Sequence, residues 1–230
     1  MSALKLLIAA FLVFVPTSVF AQKQTAVNVG GSTSALIMPK KARGSIILMA
    51  GGDGYLGVTS DGQITRLRGN QLVRTRMAYA KRGKAVLVLD AGSSLPAAVA
   101  YMAQISRPMT VVATSRGTLR AAQGIASGAR PNALVLTSGF LTADSGGGQF
   151  VSGIVSAGQL PRTLVIHHRQ DGCRVTLPAG VAPFVAWSQG RARAIWLSGG
   201  RNEGAACQAR SYHGFNGLDG RVVSLAAGFR

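Results

Sequence analysis

Short, unbroken apolar runs alternate with longer stretches of helical period along most of the chain. The runs are Ser45–Ala50, Ala85–Leu89, Thr110–Thr114, Ala133–Thr137, Thr163–His167 and Ala194–Leu197. They are rich in branched and aliphatic side chains and lack polar alternation, the pattern of strands buried on both faces. Between them Gln71–Lys81, Pro96–Gln104, Gly117–Ala126, Gly180–Ser188 and Leu218–Phe229 carry the spacing of helices. This alternation predicts an α/β fold, a mostly parallel central sheet with helices on both faces. Thr25–Val29 and Thr33–Met38 flank Gly30 and Gly31 and predict an antiparallel start to that sheet. No repeat or Pro/Ser-rich linker divides residues 22–230, and no insertion is large enough for a lid. A single domain over 22–230 is expected.

The first residues read as an address. Lys5 precedes an uncharged apolar run, Leu6–Val15, then Pro16, Thr17, Ser18, Val19, Phe20 and Ala21. Val19 and Ala21 occupy the small-residue positions of a secretory signal cut before Gln22. The apolar run is too short for a bilayer, which takes roughly 20 residues. The expectation is a signal peptide over 1–21 and an exported, periplasmic or secreted product. The mature chain has no second long apolar segment, so no transmembrane span is expected there. In an oxidising compartment the two cysteines, Cys173 and Cys207, are expected to form a disulfide. Closing that loop would stabilise the domain by roughly 3–4 kcal/mol on the chain-entropy model.

In an open parallel sheet chemistry collects at the carboxyl ends of the strands. Four loops follow: Gly51–Tyr55, Ser115–Arg116, Asp171–Cys173 and the turn around His213. The densest signal is Val111-Val112-Ala113-Thr114-Ser115-Arg116-Gly117-Thr118, a strand running straight into a helix start. A serine on that turn is lifted clear of the sheet, and small residues must flank it because strand and helix backbones nearly touch. Ala113 and Gly117 are those residues. The competing assignment is a simple helix cap.

A serine nucleophile needs a base, and the chain holds only His167, His168 and His213. His167 and His168 end a strand and read as structural, which leaves His213. An acid must hold the imidazole in the right tautomer. Asp171 follows the strand Thr163–His167 and is preferred, with Asp144 as runner-up. Asp61, Asp90 and Asp219 read as solvated or capping residues. The order Ser115, Asp171, His213 is that of α/β-hydrolases. For the oxyanion, Arg116 supplies one backbone N–H. Gly52, in Met49-Ala50-Gly51-Gly52-Asp53-Gly54, is the choice for the other, with Asp53 next. Neither glycine-rich nucleotide motif is present, and no cofactor or metal is expected. The bridge of Cys173 and Cys207 would pin together the loops of acid and base.

Together Ala50-Gly51-Gly52-Asp53-Gly54, Thr114-Ser115-Arg116-Gly117-Thr118, His167-His168-Arg169-Gln170-Asp171-Gly172-Cys173 and His213-Gly214-Phe215 resemble exported bacterial α/β-hydrolases of the dienelactone-hydrolase-like family. The resemblance covers roughly residues 44–230. It implies the α/β-hydrolase fold with Ser115 as nucleophile, Asp171 as acid and His213 as base. The family's acid loop often reads His-His-x-Asp-Asp. Gln170 stands where the first aspartate would be, which favours Asp171. The fold hosts many chemistries, so the substrate is left open beyond a small ester-like molecule.

Charge changes the picture of partners. Lys and Arg number 25 against 7 acidic residues, a formal charge of +18. The basic residues are dispersed and no nucleic-acid module accompanies them, so nucleic acid is not an expected partner. Attraction to anionic envelope lipids or polymers, or an anionic substrate beside Arg116, fits the charge. The alternative to a serine hydrolase is a non-catalytic relative that binds an anionic partner through this surface.

Overall fold

The structure is a computed structural model and describes residues 22–229. The expected signal peptide, 1–21, lies outside the described residues.

Eight strands form one sheet: β1 (Lys23–Val29), β2 (Ser32–Met38), β3 (Ser45–Met49), β4 (Ala85–Val88), β5 (Met109–Thr114), β6 (Ala133–Thr137), β7 (Arg162–His168) and β8 (Ala192–Leu197). Their spatial order is β1-β2-β4-β3-β5-β6-β7-β8. The β1–β2 and β2–β4 pairs are antiparallel and every later pair is parallel. Among the described residues four α-helices connect strands, α1 (Gln71–Lys81), α2 (Leu95–Ile105), α3 (Gly117–Ala126) and α4 (Val181–Trp187), and α5 (Asp219–Gly228) follows β8. The β8 strand starts two residues before the apolar run that marks it. As the sheet's edge it tolerates an exposed Arg193, whose guanidinium lies 5.5 Å from the Phe229 ring centroid.

The strands split their side chains by the period of two. In β3, Ile47 and Met49 face a core shared with Leu95 and Met102 of α2, Ala122 and Ile125 of α3, and Phe184 of α4. Ile46 and Leu48 face the opposite core, with Leu72 and Tyr79 of α1 and Val222 and Ala226 of α5. The chain leaving β3 therefore crosses one face through α1, while the chain leaving its neighbour β5 crosses the other through α3. A crevice opens between two such connections at the carboxyl ends of the strands. The longest connections, 50–70, 138–161 and 198–218, hold turns, short 3-10 segments and the isolated Val58–Ile64 bridge. Among the described residues none of them adds a lid. The chain has the α/β-hydrolase fold.

Candidate active site

Ser115 stands at that crevice. It follows β5 directly and adopts φ +51°, the left-handed region that costs a non-glycine residue roughly 1–3 kcal/mol. The backbone on either side holds it there. The Ser115 N–H donates to Thr137 O at 3.0 Å. Its carbonyl accepts from Thr118 N at 2.9 Å and from Thr118 Oγ1 at 2.7 Å. The sharp turn requires Gly117, because a Cβ there would lie 2.3 Å from Met49 O and 2.7 Å from Ala50 O. Ser115 is not a helix cap: the cap position falls on Arg116 and carries no side-chain cap bond. The serine hydroxyl makes no hydrogen bond among the described residues, so it is unspent.

The loop after β3 lies against this elbow. A Cβ on Gly51 would come within 2.9 Å of Ser115 Cβ. Arg120, one turn into α3, donates to the carbonyls of Ala50, Gly52 (3.3 Å) and Asp53 (3.4 Å). One guanidinium thus holds the carbonyls of the glycine loop. Burial pulls the Arg120 guanidinium below its ordinary value, and the charge of Arg116 adds to that. Among the described residues, neither the Gly52 N–H nor the Arg116 N–H has a hydrogen-bond partner.

On the far side of the crevice, His213 sits in a short 3-10 turn, Tyr212–Gly214. Its Nδ1 lies 2.9 Å from Asp171 Oδ2 and 3.1 Å from Thr176 Oγ1. With Nδ1 protonated toward the carboxylate, Nε2 is left as the free base nitrogen. The histidine backbone is held as firmly: its N–H donates to Ser211 Oγ at 3.2 Å, and its carbonyl accepts from Ser138 Oγ at 2.8 Å. The Asp171 side chain is fully buried. Burial alone pushes its carboxyl up. The approach of His167 and His213, the His213 charge and the Cys173 N–H at 3.0 Å together outweigh burial, and hold it well below the usual carboxylate range. Asp171 is therefore an anion wherever the protein is folded near neutrality.

Ser115 and His213 line one cavity of about 300 Å³, together with Gly51, Gly52, Asn70 and Cys207. The disulfide between Cys173 and Cys207 is present and joins the Asp171 loop to this wall. Arg74 of α1 ties the same wall from beneath. It donates to Gly69 O (2.7 Å), Ala209 O (3.3 Å) and Gly214 O (2.7 Å), and pairs with Asp219 at 2.8 Å.

The remaining candidates fall elsewhere. Asp144 accepts from Thr142 Oγ1 at 3.3 Å in its own turn and is not a partner of His213. His168 is structural, bonded to Gly199 O at 2.9 Å and stacked on Tyr212 with ring centroids 4.2 Å apart. His167 is buried against Trp196, with Nε2 3.4 Å from Asp171 Oδ2, longer than a good hydrogen bond. Asp90 corrects its assignment as a solvated or capping residue. It is buried and accepts from Ser32 Oγ at 2.8 Å and Leu56 N at 2.8 Å, because the start of β2 and the connection after β3 close over the end of β4. Thr176, Ser138, Arg74 and Arg120 were not marked by any motif. Asn70 was detectable only as an N-cap before a helical stretch.

No protein-family model matches the sequence, and no curated protein sequence matches it. Solved structures do resemble it. A Thermus thermophilus protein superposes with a TM-score of 0.59 at 15% identity, over 91% of this chain and 99% of that one. A lidless α/β serine hydrolase of Xanthomonas campestris gives 0.58 at 13% identity, over 92% and 98%. A Pyrococcus furiosus esterase gives 0.60 at 13% identity, over 88% and 90%. At such identities the shared property is the fold, an α/β-hydrolase sheet without a lid.

Proposed function

We propose that the protein is a serine hydrolase that cleaves an ester or related acyl bond of a small molecule. The observation that carries this reading is the buried Asp171–His213 contact of 2.9 Å on the wall of the cavity that Ser115 enters from its strained elbow. In the proposed reaction Ser115 Oγ attacks the acyl carbon as its proton passes to His213 Nε2. Asp171 stabilises the imidazolium that results. The carbonyl oxygen becomes an oxyanion, met by the backbone N–H groups of Gly52 and Arg116. Collapse breaks the bond to the leaving alcohol, which takes the proton from His213, and an acyl-serine remains. Water, deprotonated by His213, then attacks the acyl-serine and releases the acid and free Ser115. Esterases among the similar structures support an ester, and a puromycin-hydrolyzing peptidase among them keeps a related acyl bond in the proposal. The exposed Arg116 next to the nucleophile suits an acyl group that bears negative charge.

The proposal includes a cleaved leader over 1–21, a single domain over 22–230 and export to an envelope rich in anionic polymers. The Cys173–Cys207 bridge supports export, since such bridges persist in oxidising compartments. Among the described residues no helix is long and apolar enough to cross a membrane. The decisive experiment is labelling with a fluorophosphonate probe, followed by peptide mapping. Label on Ser115, lost in Ser115→Ala together with roughly 10³-fold or more of ester turnover, is the expected result. Turnover retained in that variant would sink the nucleophile assignment.

A further inference from the structure

Asn70 precedes α1, and its Oδ1 accepts the Leu72 N–H at 3.1 Å, an N-cap bond. Because the carboxamide is planar, that bond also fixes where its nitrogen points. Nδ2 is the unspent end, with no hydrogen bond among the described residues. The position a Cβ would take on Gly51 is 3.5 Å from Asn70 Nδ2 and 2.9 Å from Ser115 Cβ. Gly51 therefore packs closely between the Cβ of Ser115 on one side and the Asn70 amide nitrogen on the other. Gly52, whose N–H is unpartnered, is the next residue along this loop and lines the same cavity. Gln71 lines it as well, and its carboxamide, 2% exposed, has no partner at either atom among the described residues.

Resting on the serine-hydrolase reading, we infer that Asn70 is a further catalytic residue. Its Nδ2–H donates to the substrate's carbonyl oxygen as that oxygen becomes an anion, beside the two backbone N–H groups. Capping accounts for the side-chain oxygen, a task that Ser or Asp performs equally well. It leaves unexplained a nitrogen held over Gly51 beside the nucleophile.

The test separates the cap from the donor. Asn70→Ser and Asn70→Asp keep an oxygen for the cap and remove the amide, whereas Asn70→Ala removes both. With p-nitrophenyl acetate and butyrate, kcat in the Ser and Asp variants should fall roughly 10²- to 10³-fold, as for loss of one oxyanion donor, with KM little changed. The Asp variant should be the slower, because its carboxylate would face the developing charge. Both should melt within about 2 °C of the wild type, while Asn70→Ala melts lower. Inhibition by phenylboronic acid, whose serine adduct is tetrahedral and anionic, should weaken in parallel with kcat. Wild-type kcat in Asn70→Ser, or a rise in KM alone, would overturn the inference. If Ser115 still takes the fluorophosphonate label in that case, only the role of Asn70 falls. A wild-type protein that neither takes label nor turns over ester removes the hydrolase reading and this inference together.

Discussion

The two walls of the crevice are built by different means. Ser115 and the glycine loop are placed by backbone: β5 ends, α3 begins on the Met49 and Ala50 carbonyls, and the elbow is bonded to the end of β6. His213 lies in the irregular segment between β8 and α5, where no strand holds it. It is placed by side chains that reach in from distant parts of the chain: Ser138, Asp171, Thr176, Arg74 through Gly214, and the disulfide. The proposed nucleophile should thus be lost only with the fold, whereas the proposed base can be displaced while the sheet stays intact.

The strongest way to break this contrast is Gly117→Val. The added Cβ meets two backbone oxygens that cannot give way, so stability should fall by roughly 3 kcal/mol or more, enough to deplete folded protein. Activity should be lost in step with melting temperature. A normally folded but inactive Gly117→Val would show that the elbow is only loosely tied to the sheet. On the other wall, Asp171→Asn should lower kcat by roughly 10³- to 10⁴-fold with circular dichroism preserved. If Asp144→Asn is the damaging change instead, the acid lies after β6.

Arg74→Ala sharpens the comparison further. Arg74 is a positioning residue, bonded to three carbonyls and a carboxylate but not to the reacting atoms. A loss of roughly 10- to 100-fold in kcat, with KM little affected, corresponds to a displacement of the base by about 1 Å. Arg74→Lys should not rescue it, since one ammonium cannot span a fork of four acceptors. The smallest effect belongs to the disulfide. Reduction, or Cys173→Ser with Cys207→Ser, should slow turnover roughly 3- to 10-fold and lower the melting temperature, with a near-native spectrum at room temperature. Two freely alkylatable thiols in unreduced exported protein would refute the bridge.

The difference between the walls also explains what could be read in the residues alone. The strands were legible because each is a short run buried on both faces, and Ser115 because a backbone elbow demands small neighbours at fixed offsets. Asp171 and His213 were legible through chain order at strand ends. The supports of the base were not, because they act across 37 residues in Thr176, 75 in Ser138 and 145 in the Arg74–Asp219 pair. Arg74 looks like any charge on a helix face until its acceptors are assembled by folding. Asp90 misleads for the same reason. A carboxylate at a strand end resembles a solvated residue, and its donors arrive from elsewhere in the chain, Ser32 from the start of β2 and Leu56 from the connection after β3.

The bridge between Cys173 and Cys207 has a second effect, on how the molecule survives damage. The run from Ser198 to Gln208 is exposed and has neither helix nor strand, the kind of segment that proteases nick first. Most of it, through Ala206, lies inside the ring that the bridge closes. A single cut there leaves both pieces covalently joined, with Asp171 and His213 still on one molecule. For a protein exported as proposed, where proteases are plentiful and the chain cannot be replaced in place, a nicked copy would remain one covalent molecule carrying both residues of the proposed acid–base pair.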